Sequence, residues 1–135
     1  MKKYKIAKLI SIVSYLLIIL TGSMIGLPFF LWLLLTLFDF GNIDQFFAFW
    51  GVIGLTITFI NLNKNRTWKI LLIDIACFFL LASPLVRRMT AIPIEKFNYL
   101  AFIIPTTTFC LFYIFSLCFS FRQHFQNQKT TGATQ

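Results

Sequence analysis

Carboxylates are scarce in this chain: Asp and Glu number 4 against 12 Lys and Arg, and there is 1 His. Asp39 and Asp44 flank a turn and Glu95 stands alone, so no pair of acids shares a segment for general acid–base chemistry. His124 falls in the polar C-terminal stretch, away from any Ser or Asp with which it would form a nucleophilic set. The three cysteines, Cys77, Cys110 and Cys118, lie inside apolar stretches without a CxxC spacing, whereas zinc sites need clustered thiolate or imidazole ligands. No glycine-rich phosphate loop occurs. The expectation is a non-enzymatic protein with no metal and no cofactor.

Charge of either sign is also thin. Charged residues make up 12% of the chain, against about a quarter in soluble domains. The apolar fraction is 59% and there are 18 phenylalanines, more than the interior of a 135-residue globule can hide. A bilayer removes that conflict, and the composition reads as an integral membrane protein. The net charge of +8 does not point to nucleic acid, because the bases flank apolar stretches instead of forming a basic face with interleaved aromatics.

Four stretches approach the roughly 20 apolar residues of a transmembrane helix: 9–38, 45–62, 67–86 and 99–121. Residues 1–121 therefore read as one all-α domain, an antiparallel four-helix membrane bundle, followed by a polar, flexible tail over 122–135. The first stretch is overlong. As one helix it would reach about 45 Å, against a hydrocarbon core of roughly 30 Å, while a hairpin would leave about a dozen residues per limb. A single long helix, kinked or broken near Gly22, Gly26 and Pro28, is the economical expectation, since proline lacks an N–H and crowds the preceding turn. A signal peptide cleaved near Thr21–Ser23 is disfavoured: the remaining apolar run to Phe38 is too short to span.

Orientation follows from Lys and Arg. Residues 1–8 carry four, the connection after the second stretch carries Lys64, Arg66 and Lys69, and the tail carries Arg122 and Lys129. The opposite side would receive Arg87, Arg88 and Lys96. Both termini are thus expected in the cytoplasm of a bacterial-type cell membrane. Arg87 and Arg88 would then sit at the outer interface among lipid phosphates, partly offset by Glu95.

Asp74 is the one ionisable residue well inside an expected span. An intramembrane carboxylate is costly unless paired, which makes it a functional candidate by default. It would pair with Lys69 or Lys64 towards the cytoplasmic end, or carry a proton. On the fourth stretch Thr106, Cys110, Tyr113, Ser116 and Ser120 share one helical face, which should point at other helices. Reflection through the third connection puts Tyr113 nearest Asp74. Ala48, Gly51, Gly54 and Thr58 form a small-residue seam on the second stretch. Trp32, Trp50, Trp68 and Tyr99 are placed as interfacial anchors.

Two functions fit. The preferred one is an accessory, assembly or immunity-type protein acting through helix contacts with another membrane protein; the lipid bilayer is a partner on either reading, and assembly with itself as a homo-oligomer goes with the second. The alternative is a small oligomeric transporter or channel that uses Asp74.

Overall fold

A computed structural model describes residues 3–21, 26–64 and 67–132. Among these the chain is predominantly helical, with five α-helices, one two-stranded hairpin and a 3-10 turn. Three helices are long and apolar enough to cross a membrane: α3 (Ile43–Asn61), α4 (Trp68–Ala91) and α5, which qualifies over Leu100–Gln126.

The first apolar stretch is not one long kinked helix; it is broken ahead of Phe29, with a strand pair in place of a helical joint. Helix α1 (Lys3–Leu16) gives way to strands β1 (Ile19–Thr21) and β2 (Gly26–Pro28), which pair antiparallel, and α2 (Phe29–Leu37) follows. The register pairs Ile19 with Pro28 and Thr21 with Gly26. The physical reason lies in local propensity and in reach. Ile18, Ile19 and Thr21 are β-branched and favour extended backbone. Strands also rise about 3.3 Å per residue where helices rise about 1.5 Å, so a 14-residue helix plus a short strand covers what a dozen helical residues cannot. Pro28 ends β2 immediately ahead of α2, where its missing N–H costs nothing, instead of kinking a continuous helix. Gly26 is an exposed residue of the hairpin, and Gly22 lies outside the described residues.

Non-helical backbone at membrane depth is tolerated only when protein satisfies its polar groups. Besides the ladder, Phe29 N–H donates to Ile18 O (2.6 Å) and Tyr99 OH donates to Ile19 O (2.5 Å). Ile18, Leu20 and Phe29 are buried beneath the hairpin.

Helix α3 packs antiparallel on α4 through the small-residue seam: Ala48, Gly51, Gly54, Thr58 and Asn61 are all buried. A Cβ added at Gly51 would sit 3.0 Å from the Pro84 ring, and one at Gly54 would sit 3.0 Å from Leu80 Cβ. The tight turn between α2 and α3 uses Gly41 at φ 95°, a left-handed conformation that favours glycine. At this end Arg87 Nε lies 3.2 Å from Asp44 Oδ1, and the Arg88 guanidinium lies 5.4 Å from the centre of the Trp32 ring. Arg87 and Arg88 therefore belong to the last turns of α4, and Asp44, not Glu95, offsets Arg87.

After the 3-10 turn (Ile94–Phe97), α5 (Leu100–Gly132) runs for 33 residues. The polar segment that follows residue 121 continues this helix as far as residue 132.

Candidate functional site: a buried charge pair where helices meet

Helix α1 turns Tyr4, Ala7, Lys8, Ser11, Ile12 and Tyr15 towards the protein, a stripe at the 3- and 4-residue spacing of a single helical face. The stripe is unusually polar, and each of its polar groups meets a specific neighbour. Lys8 Nζ lies 2.6 Å from Asp74 Oδ1, with only 1% and 2% of the two side chains exposed. Ser11 OH donates to Phe109 O (2.9 Å), Tyr15 OH donates to Leu81 O (2.9 Å), and Tyr4 O accepts from Ser116 OH (3.2 Å).

These contacts fix the helix directions. Lys8–Asp74 and Tyr15–Leu81 share one sequence offset, so α1 runs parallel to α4. Tyr4–Ser116 and Ser11–Phe109 share one sum, so α1 runs antiparallel to α5. Tyr113 of α5 closes the arrangement by donating its OH to the Asp74 backbone carbonyl at 3.0 Å. Asp74 is therefore held through both its side chain and its main chain.

Helix α3 adds its own polar residues at the same depth. Gly51 meets Pro84 and Gly54 meets Leu80 and Leu81, so each turn down α3 matches a turn back along α4. The next turns bring Thr58 to Cys77 and Asn61 to the level of Asp74. Thr58 and Asn61 are 0% and 3% exposed, and among the described residues Asn61 Nδ2 lacks a hydrogen-bond partner. Cys77 is close enough to Thr58, Asp74 and Lys8 to interact with each.

The structure distributes the sequence candidates unevenly. Tyr113, Ser116 and Ser120 face inward, while Cys110 and Thr106 are half-buried, because Phe109 takes the inward position at that turn. Ser120 bonds back to Ser116 O within its own helix (2.9 Å). Lys69 and Lys64, the expected partners of Asp74, are exposed, and the pairing falls to Lys8. Lys8 is one of the four bases over residues 1–8 counted for orientation. The signal that could have found it is the run Tyr4, Lys8, Ser11, Tyr15, a polar face with helical spacing at the start of the first apolar stretch. Among the described residues no three His, Cys, Asp or Glu side chains gather as metal ligands would.

The arrangement is chemically a sealed, internally neutralised ion pair. Such a pair contributes little over an apolar equivalent, but losing one member strands the other charge at a cost of about 3–5 kcal/mol. Compared with known proteins, the chain matches no family, no curated protein and no solved structure, so its function must be argued from this geometry.

Proposed function

We propose that this chain is a multi-pass membrane protein without enzymatic activity, acting as an accessory or assembly subunit through helix contacts with other membrane proteins. The observation that carries this reading is the Lys8–Asp74 pair. The intramembrane carboxylate is matched inside the fold, and the hydroxyls of Ser11, Tyr15, Tyr113 and Ser116 are engaged with the protein's own carbonyls. Polar chemistry here serves assembly of the bundle. The outward face of α3, by contrast, presents Phe46, Phe49, Trp50, Ile53 and Ile60, all well exposed at helical spacing.

In the bilayer, α3, α4 and α5 cross it, and the α1–hairpin limb forms the fourth, partly extended traverse. Lys5 bonds Asn63 and Tyr4 meets Ser116, so the N-terminal end, the α3–α4 connection and the later part of α5 share one side. Positive residues collect there, which orients both termini to the cytoplasm of a bacterial-type membrane.

A photo-crosslinking residue at Phe49 or Ile53, followed by purification in mild detergent and mass spectrometry, tests the reading. A reproducible heterologous membrane partner supports it; crosslinks only to lipid or to a second copy oppose it. A small transporter is the second reading, and one observation favours it: the unpartnered Asn61 amide at the level of the charge pair. Proteoliposome flux that survives Asp74→Asn would remove that alternative.

A further inference from the structure

Between α4 and α5, on the polar end's side of Tyr113, lies a groove of about 570 Å³. Leu71 and Ile75 form one wall and Leu117, Cys118 and Phe121 the other, with Arg122 at its shallow end. Phe125 joins it to a second hollow of about 450 Å³ bounded by Trp68, His124 and Gln128. The indole of Trp68 packs against Phe121 (6.1 Å between ring centres) and edge-on to His124 (5.7 Å). Polarity therefore changes in order along the groove, from aliphatic at depth, to a guanidinium, to an imidazole and an amide beside an interfacial tryptophan.

Length and charge both identify an occupant. From Leu117 to Arg122 the apolar part of the groove runs about 8 Å at the helical rise, roughly half the about 15 Å depth of one leaflet. It fits the part of an acyl chain next to its headgroup, where a transmembrane helix would need a groove of full thickness. Arg122 has no carboxylate within ion-pair distance among the described residues. The same end carries the exposed or half-exposed Lys3, Lys5, Lys64, Lys69 and Lys129, while Asp39, Asp44 and Glu95 lie at the other end. The one acid on this half, Asp74, is matched by Lys8.

We infer that this groove is a binding site for an anionic phospholipid, with one acyl chain along Leu71, Ile75, Leu117 and Phe121 and the headgroup phosphate on the Arg122 guanidinium. A guanidinium suits this task because its planar N–H fork matches phosphate oxygens in pairs. The inference does not depend on the accessory role or on which side faces the cytoplasm, since both leaflets of a test vesicle can have one composition.

The test uses full-length protein with Trp68 as the sole tryptophan (Trp32→Phe, Trp50→Phe) in vesicles containing lipid brominated near the headgroup end of its acyl chains, the part that reaches Phe121 and the indole packed on it. Brominated phosphatidylglycerol should quench Trp68 about fivefold more effectively than brominated phosphatidylcholine, the factor corresponding to the roughly 1 kcal/mol of one basic side chain near a membrane surface. Arg122→Gln should erase that preference. Equal quenching by the two lipids, a preference that survives Arg122→Gln, or shielding of Trp68 from both would overturn the site. If the tryptophan variants do not fold, native mass spectrometry of the unmodified chain and of Arg122→Gln, with the same two lipids unbrominated, reads the same fivefold ratio and its loss.

Discussion

A lysine and an aspartate removed from water together are stable only if their geometry is good and nearby polar groups share the load. Lys8 and Asp74 meet at 2.6 Å, and Tyr113 anchors the Asp74 main chain from a third helix. Replacing Tyr113 by Phe keeps the ring packed against Phe78 and Phe109 and removes only the hydroxyl. It should lower stability by roughly 0.6–2 kcal/mol, the range of interhelical hydrogen bonds in membranes. Tyr15→Phe, which removes the donor to Leu81 O, should act similarly. Denaturation in mixed detergent micelles, followed by circular dichroism, measures both. A loss several times larger would mean that these hydroxyls do more than tie helices together. At this scale the sequence was legible for α5, where Tyr113, Ser116 and Ser120 stand out as polar residues on one face. Lys8 was not legible: a lysine near an N-terminus reads as a surface charge until the fold supplies its partner.

At the scale of elements, the α3–α4 seam was readable because Gly51 and Gly54 leave a recognisable small-residue face. Its geometry yields a sharp prediction. A leucine at position 54 would press on Leu80 Cβ and the Cys77 carbonyl, which cannot swing aside as a side-chain tip would. Gly54→Leu should therefore destabilise by about 1–3 kcal/mol through overpacking, whereas Thr56→Leu, on the exposed face, should be near neutral in the same micelle assay. Equal effects would place the α3–α4 contact on another face. The hairpin was not readable for a different reason. Hydropathy reports burial, not backbone conformation, and both a helix and a covered strand pair satisfy it. Only the β-branched run at Ile18 and Ile19 and the isolated Pro28 hinted at extended structure, and Tyr99, about eighty residues on, supplies the donor that stabilises it.

Across the whole molecule, charge is segregated. Arg87, Arg88 and Lys96 share one end with Asp39, Asp44 and Glu95, while the opposite end keeps a surplus of lysine and arginine. Reporter fusions at the N- and C-termini should both read cytoplasmic, and a reporter inserted at Gly41 should read external; a split result for the two termini would refute an even number of traverses. The hairpin preserves this parity: the chain enters α1 at the lysine-rich end and leaves α2 at the Asp39 end, as a single long helix would. The orientation argued from basic residues therefore does not depend on whether the first apolar stretch is one kinked helix or is broken near Pro28.

The contact of Lys8 with Asp74 ties α1 to α4 inside the protein, and a double-mutant cycle tests it most directly. Lys8→Met and Asp74→Leu should each cost about 3–5 kcal/mol, because each strands a buried charge, while the double variant should recover most of the loss. Small and additive effects would contradict it, returning Lys8 to the membrane surface and the first apolar stretch to a single long helix.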